Sequence, residues 1–409
     1  MNIIKNTFTN AYLNYIFGML FISIYISIEM PIHLATVSNS LLITIFVYLA
    51  SAITLPKITR YLLVEDKYYI LPVMLAIYGV AIAMILLLRI DYSRPTLLHG
   101  FICVLIWLFI SSIAGKKAKT LKLNAINNFD IDEFKQHRNI DLQILTQPYQ
   151  INSIRQGLVV NLHNNLSSEQ EKFIADCSIN NITVYHSERI REMLDGKVQT
   201  MHLSENTLGS LQPDPIYFML KRFWESALII ICSPLLIALM LIVAILIKLD
   251  SKGPVIFTQL RIGQGGKPFK IYKFRSMSIN KNTSNSKFAT EEHHRITKLG
   301  YLIRKIRIDE TPQFWNVLKG DMALIGPRPE QESFVKEFEK EIPFYGYRHI
   351  LKPGITGWAQ TVHGYVDNTD STREKLAYDL YYIKYLSFWL DINIFFRTLK
   401  TMMTGFGAK

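Results

Sequence analysis

Two carboxylates stand side by side at Asp309 and Glu310, with Pro312 just after them and Gly320 closing the short apolar run that follows. This spacing predicts a helix that starts at the acids, takes proline in its first turn, where no N–H is needed, and stops at glycine. Just beyond lies Gly326-Pro327-Arg328-Pro329, a single guanidinium in a rigid frame. A carboxylate nucleophile or metal ligand at a helix start, beside a fixed arginine, suits chemistry on a phosphoanhydride. Upstream, Lys273 and Arg275 are separated by one residue. On a strand they would share a face and could grip one anionic group, although solvated edge charges would give the same pattern.

These groups need a scaffold, and the chain supplies an unusual one. Its 409 residues are 49% hydrophobic and carry a formal charge of +12. From Lys248 onward there are 26 Lys/Arg against 16 Asp/Glu, a surplus of ten that favours anionic partners such as nucleotide, phosphate or acidic lipid. Nucleic acid is a poor fit, since no basic-aromatic module accompanies the charge. Cys103, Cys177 and Cys232 are far apart and read as small apolar residues, not a disulfide or zinc framework. The start of the chain shows no cleavable-signal pattern, because no small-residue cleavage site follows Lys5 and its apolar run.

Four apolar segments, about residues 11–28, 41–55, 70–88 and 97–114, approach the ~20 residues that cross a bilayer. The turn from Glu29 to Ser40 has no Lys or Arg. Lys57, Arg60 and Lys67 follow the second segment, and Lys116, Lys117, Lys119 and Lys122 follow the fourth. The positive-inside rule therefore places both ends of this bundle in the cytoplasm, with Arg89 and Arg94 as a small contrary signal. A fifth run, 223–247, has Lys221 and Arg222 before it, Lys248 and Lys252 after it, and Cys232-Ser233-Pro234 within it. A plain span and a re-entrant hairpin broken at Ser233-Pro234 both fit, and the basic flanks on both sides favour the hairpin.

Between the spans and this run, about 140–201, the pattern alternates. Segments 157–162 and 181–186 read as strands, and 167–177, opened by Ser167 and Gln170, and 188–194 as helices. That implies a small Rossmann-like sheet, without a Gly-x-Gly-x-x-Gly to bind dinucleotide. Asp130-Ile131-Asp132 imitates a metal-binding pair but reads as a solvated turn. Segments 254–261 and 268–274 around Gly263-Gln264-Gly265-Gly266 predict a hairpin, and 280–285 is polar. Residues 295–306 form a basic amphipathic helix, and 388–406 an aromatic one suited to an interface.

Six motifs carry a family resemblance. Lys273-Phe274-Arg275-Ser276-Met277, Asp309-Glu310-x-Pro312-Gln313, Asn316 to Met322, Gly326-Pro327-Arg328-Pro329, Lys352 to Gln360 and Tyr378 to Ile383 occur in the order seen in bacterial sugar transferases. The resemblance covers about 215–405 and is to the monotopic phosphoglycosyl transferases, in their long form with four N-terminal spans. It implies an undecaprenyl-phosphate hexose-1-phosphate transferase that starts exopolysaccharide, capsule or O-antigen units. It implies Asp309 as nucleophile, Glu310 as its partner holding Mg²⁺, and Lys273, Arg275, Arg328 and Asp379 as substrate-binding groups. It also makes the break at Ser233-Pro234 a re-entrant helix on the cytoplasmic face of the bacterial inner membrane. Expected partners are a UDP-sugar donor, undecaprenyl phosphate and membrane lipid, with no nucleic acid and a homodimer left open. Thr311 stands where many relatives have leucine. Thr361-Val362-His363-Gly364-Tyr365 replaces a commoner Val-Asn-Gly-Arg, which leaves the sugar open, with glucose and galactose ahead of N-acetylated or diacetamido sugars.

The expected architecture is an α-rich α+β membrane protein. It has a four-helix transmembrane bundle (1–118), a soluble Rossmann-like α/β domain (119–212) and a monotopic catalytic domain (213–409) with a re-entrant helix-break-helix at 223–247 and interfacial amphipathic helices. A direct sugar transferase releasing nucleoside diphosphate would call for an Asp-x-Asp after a strand, and no convincing one occurs. A non-catalytic scaffold or anionic-lipid-binding export component would explain the charge and spans but not the adjacent acids beside Arg328.

Overall fold

A computed structural model describes residues 11–30, 34–58, 67–115, 121–135, 137, 140–198, 212–278, 296–363 and 369–404. The polar run 280–285, Arg60, Lys116, Lys117, Lys119, Arg295, Gly364, Tyr365 and Phe406 lie outside these residues. Two compact units result, Met1–Gly196 and Lys197–Lys409.

The first unit opens with four helices, α1 (Ala11–Glu29), α2 (Ala35–Ile58), α3 (Lys67–Leu88) and α4 (Arg94–Gly115). All four are long and apolar enough to cross a membrane. The second is a full 24 residues, because polar Thr36, Ser38, Asn39 and Ser40 at its start join the helix. Many large apolar side chains of the four point outward, and polar groups help hold the inside together. Asn14 Oδ1 accepts from Trp107 Nε1 at 3.0 Å and from Ser111 Oγ at 3.1 Å, while Ser40 Oγ accepts from the Ser93 N–H at 2.8 Å. Such interhelical bonds are what remains to hold apolar helices together when lipid is as apolar as leucine.

A four-stranded sheet follows, made of β1 (Leu121–Ala125), β2 (Ile140–Ile144), β3 (Leu158–Val160) and β4 (Val184–His186) in the order β2-β1-β3-β4. Every pairing is parallel. The short helix α5 (Asp132–Lys135), α6 (Ser168–Ile179) and α7 (Ser187–Asp195) accompany it. Ser167 caps α6 through a capping box with Gln170. Lys122 belongs to β1 and is not a loop charge. Asp130 accepts the Asp132 N–H at 3.1 Å in an exposed turn.

The second unit begins with α8 (Pro215–Asp250), one helix of 36 residues. The expected break does not end it: Pro234 lies inside the helix. Proline cannot donate to the carbonyl of Ile230, and Ser233 Oγ donates to that carbonyl instead, at 2.7 Å. Burial along α8 is confined to its two ends, Lys221, Glu225 and Ile229 on one side and Val243 and Ile247 on the other. Between them Ile230, Ile231, Leu235, Ile237, Leu241 and Ile242 are exposed.

Both ends rest on the same hairpin, β5 (Ile256–Ile262) with β6 (Pro268–Phe274), antiparallel throughout. Ile229 clusters with Ile271, and Val243 and Ile247 cluster with Phe274. The elements α9 (Lys298–Lys305), α10 (Gln313–Lys319), β7 (Ala323–Ile325), α11 (Glu332–Glu341), β8 (Gly354–Thr356), α12 (Trp358–Val362), α13 (Thr369–Lys384) and α14 (Phe388–Thr404) complete the unit, with β7 and β8 parallel. On α9, Ile303 is buried with Leu299 against it, while Tyr301 and Leu302 are exposed. One side of α14 is built into the unit through buried Leu390, Asp391, Asn393 and Ile394, and Phe388, Phe395 and Leu399 remain exposed.

Candidate active site

Asp309 and Glu310 occupy their own 3₁₀ turn, Ile308–Glu310, ahead of α10. The expected single helix starting at the acids is therefore two elements. Pro312 is the cap of α10, which has only seven residues, and Gly320 ends it in the left-handed region at φ 93°. The charge near the acids comes from side chains, not from a long helix. Arg307, just before the turn, has φ 54°. A non-glycine residue held there costs about 1–3 kcal/mol and is characteristic of sites that fix a reactive group. The Glu310 N–H returns to the Arg307 carbonyl at 3.3 Å, and Thr311 Oγ1 donates to the Ile308 carbonyl at 2.8 Å. The unusual threonine thus closes the turn that carries the acids.

Both acids are buried, with Asp309 8% and Glu310 7% exposed. Lys273 Nζ donates to Glu310 Oε1 at 2.9 Å, and Arg328 Nη2 reaches the same oxygen at 3.5 Å. The two carboxyls consequently differ in character. Burial, then the neighbouring Glu310 charge, pushes the Asp309 carboxyl up to about 6. For Glu310 burial also pushes upward, but Lys273, Arg328 and Arg307 outweigh it and hold the group down at about 2. Among the described residues no hydrogen bond ties down the Asp309 carboxylate. One acid is locked between cations, and the other stays free for a partner.

Arg328 is positioned from behind. Its carbonyl accepts from Arg348 Nη2 at 2.9 Å, and the same nitrogen pairs with Asp379 Oδ2 at 2.9 Å. Glu330 receives Lys375 Nζ at 2.6 Å and lies 3.9 Å from both Arg348 and Arg261. Burial alone would raise the Glu330 carboxyl, yet Lys375, Arg348 and Arg261 hold it at about 2. Asp379 is 2% exposed and pairs with Arg348, so it supports the turn that carries Arg328. Arg348, Glu330 and Lys375 were not flagged by the sequence, because their pairings join positions distant along the chain. From the other side, Glu225 Oε1 accepts the Ile325 N–H at 3.3 Å, one residue before the turn. Glu225 is in turn paired with Lys221 at 2.7 Å, and Lys221 also bonds Asp391.

The turn also needs its glycines. A Cβ on Gly354 would lie 2.1 Å from Gly326 N, and one on Gly326 would lie 2.4 Å from Lys352 O, so backbone packs directly on backbone. Hydrogen bonds from Gly326 N to Thr356 O (2.8 Å) and from Gly354 N to Pro327 O (2.9 Å) join the two motifs.

Arg275 is elsewhere. The strand β6 ends at Phe274, so the alternation that would have turned Lys273 and Arg275 to one side stops short of it. Arg275 donates to Lys252 O at 3.0 Å, Ser251 O at 2.7 Å, Ser251 Oγ at 2.9 Å and Ile247 O at 3.4 Å, tying down the end of α8. Arg275→Lys is expected to lower stability by about 1–3 kcal/mol through unmade bonds to these buried and part-buried acceptors, while leaving the KM for the donor unchanged. A thermal melt and a donor titration check this, and a raised KM with an unchanged melt would return Arg275 to the substrate.

One other group of metal-ligating types meets among the described residues: His163, His186 and Glu188, with donor atoms within 4.8 Å of one another. His186 Nδ1 accepts the Glu188 N–H at 3.1 Å and so already serves the start of α7.

Residues 216–405 match the family model described as bacterial sugar transferase. Over 364 residues the chain is 44% identical to the UDP-N-acetylgalactosamine-undecaprenyl-phosphate N-acetylgalactosaminephosphotransferase of Aeromonas hydrophila, covering 88% of this chain and 86% of that protein. The chain belongs to the bacterial sugar transferase family. This sugar transferase is also 44% identical over 178 residues to the UDP-glucose:undecaprenyl-phosphate glucose-1-phosphate transferase of Klebsiella pneumoniae, and 41% over 184 residues to that of Escherichia coli (strain K12). Those two matches cover 43% and 44% of this chain and only 37% and 39% of the glucose enzymes. All six motifs fall inside the family match, as do both acids, Lys273, Arg328 and the Arg348 network.

Proposed function

We propose that this sugar transferase moves a sugar-1-phosphate from a UDP-sugar to undecaprenyl phosphate, releasing UMP, in two displacements at Asp309. The observation that carries the reading is a buried carboxylate without a hydrogen bond, next to a second one clamped by Lys273 and Arg328. In the first displacement an Asp309 oxygen attacks the sugar-side phosphorus, and the bond from that phosphorus to the bridging oxygen breaks as UMP leaves. In the second, an oxygen of the lipid phosphate attacks the same phosphorus, and the aspartyl–phosphorus bond breaks. Each step then brings one anionic reactant to the centre at a time. Lys273 and Arg328 offset the charge of the diphosphate, and the Arg348 contact fixes where Arg328 stands.

Two adjacent carboxylates supply the oxygen ligands that Mg²⁺ prefers, and the upward push on Asp309 marks charge that a cation would relieve. Glu310 would hold the ion together with donor phosphate oxygens, and when bound it would supply charge neutralisation on the diphosphate.

N-acetylgalactosamine becomes the leading sugar, ahead of glucose and galactose. The Aeromonas relative matches through most of both chains, whereas the glucose enzymes match over less than half of either chain. Purified protein given undecaprenyl phosphate and, in turn, UDP-N-acetylgalactosamine, UDP-glucose and UDP-galactose should release UMP, fastest with the first. UDP as the nucleotide product would refute the reading.

The helix α8 enters and leaves the membrane on the cytoplasmic face in this reading, where nucleotide sugars are made. Both of its ends pack on one hairpin while its middle is exposed, which a bend at Ser233-Pro234 would satisfy. Single cysteines placed before residue 223 and after residue 247 should react alike with a membrane-impermeant label; opposite accessibility would make α8 a plain span. The four preceding helices are then spans of the inner membrane, and the product is the first lipid-linked unit of a surface polysaccharide.

A further inference from the structure

Gln360 is 8% exposed, and among the described residues neither Oε1 nor Nε2 has a hydrogen-bond partner. Buried amides are normally satisfied, so a side chain with both of its polar atoms unmet calls for a partner outside the fold. Its place is specific. It sits on α12, directly after β8, whose backbone is bonded to the Gly326-Pro327-Arg328 turn. The position that a Cβ on Gly357 would take lies 3.8 Å from Gln360 Nε2 and 2.2 Å from Gly326 O, so the amide stands beside the turn that presents Arg328. The fold has also spent its local alternatives: Thr361 Oγ1 donates to Trp358 O at 3.0 Å, and the Arg397 guanidinium lies over the Trp358 ring at 4.8 Å.

We infer that Gln360 is a donor-binding residue whose amide reads a neutral edge of the UDP-sugar that offers one hydrogen-bond donor beside one acceptor. Phosphate oxygens only accept, so they would satisfy Nε2 and leave Oε1 unmet. Two parts of the donor have the required edge, the imide of the uracil and the hydroxyl or acetamido groups of the sugar. The inference rests on the proposed reaction, because that reaction brings a UDP-sugar to Arg328.

The test is Gln360→Met in the full chain, which keeps the side chain's length and removes both polar atoms. Without ligand the variant should melt at the same temperature as wild type or higher, since no internal bond is lost. Its KM for UDP-N-acetylgalactosamine should rise at least tenfold, with UMP still the product. Inhibition by UMP alone separates the two sources. A weakened UMP inhibition assigns the contact to uracil, and an unchanged one assigns it to the sugar. An unchanged KM would overturn the inference, and so would a lower melting temperature without ligand, which would show that the amide already serves the fold. Wild-type protein that releases UDP would instead overturn the underlying reaction, a result distinguishable from either.

Discussion

Asp309→Asn is expected to reduce UMP release by about 10⁴-fold or more, the scale on which enzymes lose activity when a nucleophile is removed. The substitution keeps the size of the side chain and the 3₁₀ turn, so Lys273, Glu310 and Arg328 should stay in place. An amide in that position cannot displace UMP from phosphorus. The loss should therefore fall on the chemical step, with donor binding retained and no acid-labile sugar-phosphate left on the protein. The asymmetry of the two acids makes Asp309 the choice over its neighbour: Glu310 is clamped by Lys273 at 2.9 Å and approached by Arg328 at 3.5 Å, whereas Asp309 is not so tied. An adduct that survives in Asp309→Asn would mean that another group attacks.

Arg348→Ala is expected to have the largest structural effect. Arg348 and Asp379 are 3% and 2% exposed, and truncating one partner strands the other. Breaking a buried pair in this way typically costs about 3–5 kcal/mol. Glu330 keeps Lys375, so Asp379 bears most of that cost. The Arg328 carbonyl loses its bond from Arg348, and activity should fall beyond what the fraction folded explains. Removing Asp379 as well should recover part of the stability and none of the activity, because the double variant leaves no stranded charge but still leaves Arg328 unsupported. Thermal melts and donor kinetics on the single and double variants check both halves. Equal loss of stability in the single and double variants would contradict the pairing.

Sequence patterning found what local rules govern. The four long apolar helices, the β5–β6 hairpin, the capping box at Ser167 and the stop at Gly320 each follow from spacing along a short stretch. It missed β1 and β2, although Leu121-Lys122-Leu123-Asn124-Ala125 and Ile140-Asp141-Leu142-Gln143-Ile144 both alternate apolar and polar residues, a period-2 signal present in the chain but left unread. The acids and Arg328 were legible because their types and framing glycine and prolines imply chemistry. Arg275 lies one residue past the end of β6 at Phe274, and its side chain turns to the end of α8, a placement that turns on a single residue of strand length. Arg348 and Glu330 were invisible for a different reason. Their meaning lies in pairings with Asp379 and Lys375 on α13, which no pattern within one chain announces.

The most direct test of the central claim is a single-turnover reaction with UDP-N-acetylgalactosamine and no lipid acceptor. Two displacements at Asp309 predict a burst of UMP of one equivalent or less per enzyme, matched by a sugar-phosphate mass on the peptide containing Asp309. That mass should disappear when undecaprenyl phosphate is added. No UMP and no adduct until the acceptor is present would contradict the account and point to direct transfer between the two substrates.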